Sequence, residues 1–122
     1  MIRDFRYTCF KILFENDIND LQNVEYDLSA NQKLRAEQLL KNTQDNIERI
    51  DNSINTYSDN WSYERIGKVE LISLKLGISE LIMGLTPKNV VISEWVVITD
   101  KHSSSKGAKF VNGILDKISN EI

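Results

Sequence analysis

Two groups of basic and aromatic residues, one near each end of the sequence, have types and spacing that could do chemistry. The first group is Arg3, Arg6, Lys11 and Phe14, and the second is Lys101, Lys106, Lys109 and Phe110. No acidic residue interrupts residues 101–110. Lysine and arginine bind the phosphates of single-stranded RNA while its bases stack on aromatic rings. If the two groups lie side by side in the fold, they form one basic strip with aromatic platforms, which predicts RNA binding.

The overall charge leaves a simpler alternative open. The chain carries a formal net charge of −3, which argues against a generally basic nucleic-acid-binding protein. Its acidic residues are concentrated in residues 15–27 and in the middle of the chain. Counting residues alone favours the alternative that the six bases are only solvated surface groups.

Other kinds of site find little support in the sequence. The single histidine, His102, has no second histidine or cysteine nearby, so a zinc site has no basis. The glycines stand singly, without a phosphate-binding loop, and no serine has the context of a catalytic nucleophile. Three carboxylates lie within apolar segments: Glu70, Glu80 and Glu94. We interpret these carboxylates as capping neighbouring helix ends or pairing with Lys68 or Lys75, and we expect no enzyme activity, cofactor or metal.

Length and composition indicate one domain over residues 1–122. The 122 residues are 41% hydrophobic and include only one proline and five glycines, which suits long helices. Cys9 is the only cysteine and lies among apolar residues, so we expect a small core residue and no intramolecular disulfide. No apolar run approaches the roughly 18 residues that cross a bilayer, and the N-terminus is unlike a signal peptide. We therefore expect a cytoplasmic protein without membrane contact.

Apolar residues recur at steps of three and four through most of the chain, which predicts an all-α bundle. Residues 2–15 are expected to form an amphipathic helix that carries Arg3, Arg6 and Lys11 on its outer surface. The acidic residues 15–27 follow as a short helix or a loop.

The middle of the chain predicts two further helices. Ser29 and Gln32 have the capping-box pattern, and the spacing after them predicts one long helix over residues 30–57. Ser62 is the expected N-cap of the next helix. Residues 63–84 are apolar on almost every side, which is typical of a central, buried helix that ends at its final glycine.

The C-terminal part predicts two more helices. Thr86 is the expected N-cap of the first, with Pro87 at its first helical position. Its many β-branched residues make a strand the competing interpretation, but the Thr-Pro start and the helical context favour a helix. The polar residues 103–107 are expected to form a loop before the last helix.

The last helix contains the sequence KFVNGILDK and presents two different faces. Val111, Ile114 and Leu115 belong to its buried stripe, while Gly113 points away from them, towards Lys106 and Lys109. Glycine inside a helix costs about 1 kcal/mol relative to alanine, so the position calls for a reason. Two reasons stay open: close approach of an RNA strand or partner chain, or contact with another helix of the same protein.

Several blocks of the sequence resemble the NusB family of transcription antitermination factors. The blocks are NVEYD (23–27), ERIGKVELISLKLGISELI (64–82), TPKNVVISEWVVI (86–98) and, most specifically, KFVNGILDK (109–117). Their order and spacing fit, and the similarity covers nearly the whole chain.

The resemblance implies a fold and a function. The fold would be a bundle of about seven helices in two packed sub-bundles, with no catalysis. The function would be binding of the boxA element of ribosomal RNA operon transcripts, together with a NusE-type small-subunit ribosomal protein, inside an antitermination complex on RNA polymerase.

The resemblance also implies roles for individual residues. Arg3 and Arg6 fall on the arginine-rich first helix that contacts RNA in the family, although Ile2 and Asp4 stand where further arginines are usual. Phe14 matches an aromatic residue at the end of that motif. Lys109 and Phe110 match positions on the RNA-binding surface, and Glu70 matches a glutamate in the region facing NusE and RNA. Lys106 stands in a loop where family members often have an acidic residue that contacts the partner.

The first functional hypothesis is therefore a NusB-type factor whose RNA face comprises Arg3, Arg6, Phe14, Lys106, Lys109 and Phe110. Because the arginine run is thinned, we expect weaker RNA binding by the chain alone and more reliance on a basic partner. The alternatives are a helical protein-interaction module, with a homodimer as one form, and a stand-alone ribosomal RNA maturation factor.

Overall fold

The computed structural model describes residues 4–15, 28–58 and 65–122, and every regular element within these ranges is a helix. The helices are α1 (Phe5–Glu15), α2 (Ala30–Asp45), α3 (Ile47–Tyr57), α4 (Lys68–Met83), α5 (Lys88–His102) and α6 (Ser105–Ser119). The all-α prediction is confirmed, with six helices in the described ranges where about seven were expected. Arg3, the acidic residues 16–27 and the expected N-cap Ser62 lie outside the described residues. None of the described helices is both long and apolar enough to cross a membrane.

Helix α4 is the centre of the bundle. Helices α1 and α2 pack on each other and on α4, and α5 and α6 do the same, while α3 contacts α4, α6 and α2. Residues around the circumference of α4 are buried, including Leu74, Leu76 and Ile78, which confirms the prediction of a central helix. Gly77 lets the neighbouring helices come close, since a Cβ there would lie 3.0 Å from Leu115 and 3.3 Å from Trp95.

The prediction of one helix over residues 30–57 is wrong, because the chain breaks between α2 and α3 at Asn46. The backbone of Asn46 leaves the helical region at φ −114° and ψ 19°. Its side-chain Nδ2 donates to the carbonyl oxygen of Asn42 at 2.9 Å, competing locally with regular helix hydrogen bonding. Asn42 in turn donates to the backbone oxygen and hydroxyl of Ser79 at 2.9 and 2.8 Å, which ties the break to α4.

The start of α2 confirms half of the predicted capping box. The hydroxyl of Ser29 accepts from the backbone N–H of Gln32 at 3.2 Å, as an N-cap should. The side chain of Gln32 has a different role from the predicted one, since its Oε1 accepts from the backbone N–H of Phe5 at 2.9 Å. Gln32 thus satisfies a free donor in the first turn of α1 and joins the starts of α1 and α2.

Three other helix starts differ from the sequence prediction. Helix α6 begins at Ser105 with Ser104 as its N-cap, inside the polar run 103–107 that was expected to be a loop. Helix α4 begins at Lys68 with Gly67 as its N-cap, so it starts later than a cap at Ser62 would place it. Helix α5 has Pro87 in the N-cap position, one residue after Thr86, whose hydroxyl accepts from Arg35 at 3.3 Å. Residues 88–102 form a helix and not the competing strand.

Two sequence predictions about single residues are confirmed in the fold. Gly84 ends α4 in the left-handed conformation at φ 68°, which a residue with a side chain adopts only under strain. Cys9 is fully buried in the core, where burial raises the pKa of its thiol well above the ordinary range.

Candidate nucleic-acid interface

Arg6 does not lie on the outer surface of α1, and that prediction is wrong. Its side chain is only 8% exposed and forms a two-pronged ion pair with Glu80 of α4, Nε to Oε1 at 2.8 Å and Nη2 to Oε2 at 2.7 Å. Asp4 at 3.6 Å and Glu94 at 4.0 Å add negative charge around the guanidinium. A buried carboxylate needs a partner of opposite charge, and Arg6 supplies it to Glu80.

The Arg6–Glu80 pair connects three helices. Glu80 is buried and also accepts from the indole Nε1 of Trp95 at 2.9 Å, which brings in α5. Burial alone would lower the pKa of Arg6, but the hydrogen bond and charge of Glu80, with Asp4 and Glu94, raise it overall. Glu80 therefore pairs with Arg6 and not with Lys68 or Lys75, and the pair fixes the orientation of α1.

This orientation places an aromatic row along the edge of α1. The row consists of Tyr7, Phe10 and Phe14 of α1 and His102 at the end of α5. The His102 ring lies 5.1 Å from Phe10 and 5.6 Å from Tyr7, with interplanar angles of 29° and 27°. Phe14 stacks on Phe10 at 5.8 Å and is itself 39% exposed. Lys68 Nζ lies 4.6 Å from the centroid of the Phe14 ring, which is cation–π geometry.

A small cleft, here called the α1 cleft, opens beside the aromatic row. It has a volume of about 160 Å³. Its lining comprises Tyr7, Phe10, Lys11, Phe14, Glu15, Val69 and His102. Lys11 is exposed, as predicted for the outer face of α1. The cleft therefore combines aromatic walls with a cation and a carboxylate.

A second cleft, here called the α6 cleft, lies at the start of α6 and has a volume of about 470 Å³. Its lining includes three residues that the sequence analysis assigned to the RNA or partner surface, Glu70, Lys106 and Phe110. Glu70 accepts from the hydroxyl of Ser103 at the end of α5. A Cβ on Gly107 would collide with the Glu70 carboxylate, so this glycine makes the close approach possible.

The two clefts are adjacent, because consecutive residues of the chain line them. Val69 lines the α1 cleft and the next residue, Glu70, lines the α6 cleft. Likewise, His102 lines the α1 cleft and the next residue, Ser103, lines the α6 cleft. Helices α1 and α6 do not pack extensively on each other, so the ends of α4 and α5 connect the two residue groups found in the sequence.

The remaining predicted positions lie on the exposed side of α6. Lys109 is exposed and lines neither cleft. Gly113 is exposed, and a Cβ there would meet no atom of the described residues within 4 Å. The alternative that Gly113 serves contact with another helix is therefore wrong for the described part of the chain.

Sequence reasoning missed Lys68 and His102 as members of this surface. His102 was considered only as a metal ligand, and the described residues contain no group of three or more potential ligands that could hold a metal ion. The useful signal was the spacing of Tyr7, Phe10 and Phe14, which places three rings on one side of α1.

Comparisons with known proteins agree with this architecture. The family model for the NusB family matches residues 4–120. The transcription antitermination protein NusB of Natranaerobius thermophilus is 31% identical over 98% of this chain and 95% of its own length. That of Borreliella burgdorferi is 34% identical over 96% of this chain and 92% of its own length.

Solved structures give the same result. T. maritima NusB superposes with a TM-score of 0.84 at 30% identity, covering 96% of this chain and 89% of the other. A chain in a crystal structure of a plectonemic RNA supercoil superposes with a TM-score of 0.83 at 29% identity, covering 96% and 92%. Sequence and structure thus agree over almost the full length, and the chain belongs to the NusB family of transcription antitermination proteins.

Proposed function

We propose that this chain binds a boxA-like single-stranded RNA of ribosomal RNA operon transcripts together with a NusE-type ribosomal protein, within an antitermination complex on RNA polymerase. The observation that carries the proposal is the pair of adjacent clefts, with exposed aromatic and basic side chains at one end of the bundle. The T. maritima protein of the same fold is a NusB, and a similar chain occurs in a crystal structure of an RNA supercoil.

The proposed RNA face comprises Phe14, Lys106, Lys109 and Phe110 from the sequence prediction, together with Lys11 and Lys68. Phe14 is the proposed stacking residue, because its side chain is 39% exposed, and Lys68 supplies a cation beside it. A base that stacks on Phe14 would place its phosphate near lysine side chains, the combination that suits single-stranded RNA. Arg3 stays a prediction, since it lies outside the described residues.

Arg6 has a different place in this proposal. It is buried in the pair with Glu80 and offers no donor to a phosphate at the surface. Its contribution to RNA binding is to hold α1, and with it Phe14 and Lys11, in position against α4.

The α6 cleft is the proposed partner-facing region, with Glu70 and Lys106 as its charged residues. Glu70 has its carboxylate held by Ser103, so it presents a fixed negative charge at the cleft. Lys106 is exposed and supplies the opposite charge from α6. A partner with both an acidic and a basic contact would match this pair.

The test is a titration of the chain, with and without its NusE homologue, against boxA-like RNA and a scrambled RNA at several salt concentrations. We expect tighter binding to the boxA-like RNA when the partner is present. Lys106→Ala should weaken binding, and Lys41→Ala is the matched control, since Lys41 is an exposed lysine on α2 that pairs with Asp45 at 3.1 Å.

The alternative functions make different predictions in the same experiment. Equal affinity for both RNAs in the presence of the partner would contradict the proposal and favour a helical protein-interaction module. Light scattering then measures whether that module is a homodimer. Specific binding to ribosomal RNA precursors without an effect on transcription would favour the maturation factor.

A further inference from the structure

The α1 cleft is small enough to hold one small group only. Its volume of about 160 Å³ equals roughly five water molecules at about 30 Å³ each. The neighbouring α6 cleft, at about 470 Å³, is several times larger. We propose that the α1 cleft binds one unstacked nucleobase of the RNA, with His102 as a stacking residue. This proposal rests on the proposed function and names a subsite within it.

His102 is built as a fixed platform. His102 is an exposed residue, yet its imidazole is stacked at 5.1 Å on Phe10, which is only 3% exposed, and at 5.6 Å on Tyr7. Two rings of α1 therefore support the imidazole. Binding a base on a ring that is already held in place loses little side-chain freedom, which favours affinity.

The polar residues of the α1 cleft indicate which bases fit best. The ammonium group of Lys11 donates hydrogen bonds, and the carboxylate of Glu15 accepts them. Adenine, cytosine and guanine each carry an exocyclic amino group with two N–H donors, whereas the uracil base offers a carboxylate only its single N3–H. The cleft should therefore favour a base with an amino group over uracil.

The position of the cleft fits an RNA strand that also visits the α6 cleft. Val69 and His102 line the α1 cleft, and the residues that follow them in the chain, Glu70 and Ser103, line the α6 cleft. Phe14, with Lys68 beside it, lines the α1 cleft, and Lys106 and Phe110 line the α6 cleft. A nucleotide in the α1 cleft would thus be continuous with the proposed RNA face.

The chain contains a single histidine, so one set of imidazole proton resonances reports on the site without a mutation. We expect these resonances to shift upfield when the isotope-labelled wild-type chain, with its unlabelled NusE homologue, is titrated with boxA-like RNA. At equal, sub-saturating RNA concentration, the shift should be larger with an oligocytidylate than with an oligouridylate of the same length, since only cytosine of these two pyrimidines carries an amino group. Glu15→Ala should remove that difference.

Affinity measurements on variants provide the second test. Losing one base stack should weaken RNA binding in His102→Ala by roughly 5- to 100-fold. His102→Phe keeps a stacking ring and should bind like the wild type. Val97→Ala is the control, because Val97 is an exposed α5 residue that lines neither cleft.

The outcomes separate this inference from the proposed function. The base site would be overturned if the imidazole resonances of the wild type do not move and His102→Ala binds RNA with wild-type affinity. Weakened binding in Phe14→Ala would then still support the RNA face. Equal loss in His102→Ala and His102→Phe would overturn stacking as its basis. If the wild type binds boxA-like RNA no better than scrambled RNA with the partner present, the base site and the proposed function both fall.

Discussion

The buried pair of Arg6 and Glu80 makes a sharp prediction, because arginines of the first helix contact RNA in the family that the sequence resembles. In this chain Arg6 donates two hydrogen bonds to Glu80, and neither side chain is more than 8% exposed. Arg6→Ala should therefore reduce the stability of the fold, while the folded variant keeps its direct contacts with RNA.

The magnitude follows from what the substitution leaves behind. Without Arg6, the Glu80 carboxylate stays buried with the indole N–H of Trp95 as its remaining hydrogen bond in the described structure. Removing one partner of a buried ion pair costs about 3–5 kcal/mol. Small domains unfold with a total free energy of about 5–15 kcal/mol, so the loss is a large part of the whole. For an m-value of about 2 kcal/mol/M, the urea midpoint should fall by about 2 M.

The assay compares Arg6→Ala with Lys11→Ala, which removes one positive charge from the exposed face of the same helix. Urea unfolding followed by circular dichroism measures stability, and RNA titration at low urea measures binding by the folded chain. Lys11→Ala should change the unfolding free energy by less than about 0.5 kcal/mol. If Lys11 contacts a phosphate, the salt slope of RNA binding should become shallower by about 0.7 in the same variant.

Two results would refute this reasoning. Arg6→Ala with wild-type stability would mean that the ion pair does not hold α1 in solution. Arg6→Ala with wild-type stability and the reduced salt slope expected of Lys11→Ala would mean that Arg6 reaches RNA at the surface. Glu80→Gln adds an internal check, because it keeps an oxygen for Trp95 but removes the charge that pairs with Arg6.

Three further substitutions or reactions test the packing and the surface. Gly77→Ala should destabilise the fold by about 1–3 kcal/mol in urea unfolding, because its Cβ would lie 3.0 Å from Leu115 in a packed core; unchanged stability would contradict the close helix packing. Gly113→Ala should raise the unfolding free energy by up to about 1 kcal/mol, since its Cβ enters open space. A loss of RNA affinity in that more stable variant would support close approach of RNA to α6. Burial raises the pKa of the Cys9 thiol, so a thiol reagent at neutral pH should modify the native chain only as fast as it opens, and immediate reaction would contradict the buried position.

Local sequence pattern predicts the helices well because one face of each helix must be apolar. The limit of that pattern is visible at Asn46. Apolar residues continue at steps of three and four on both sides of it, with Leu39 and Thr43 buried in α2 and Ile50 and Ile54 buried in α3. Both helices pack on α4, so the spacing of buried positions does not reveal the break between them. The break depends on side-chain hydrogen bonds that the periodicity does not encode.

The candidate site was predictable in residue type but not in orientation. Arg6 and Lys11 look equivalent in sequence, yet one is buried and the other exposed. The difference is set by Glu80, which lies 74 residues away along the chain. A contact over that distance has no local signature. His102 was overlooked for a related reason, because its partners Tyr7 and Phe10 come from the opposite end of the sequence.

The inward position of Arg6 also limits how strongly this chain can bind RNA through charge. Besides Arg3, which lies outside the described residues, the exposed cations in question are the four of the proposed RNA face, Lys11, Lys68, Lys106 and Lys109, and Arg65, which lines the α6 cleft. If all five neutralise a phosphate of a single strand, at about 0.7 per contact, the slope of log affinity against log salt is about −3.5. We expect the chain alone to show a slope no steeper than this value, and the complex with its NusE homologue to show a steeper one because the basic partner adds contacts. A steeper slope for the chain alone would place further cations, such as Arg3 or a released Arg6, on the RNA. The Arg6→Ala variant distinguishes these two sources, since its slope changes only if Arg6 itself reaches a phosphate.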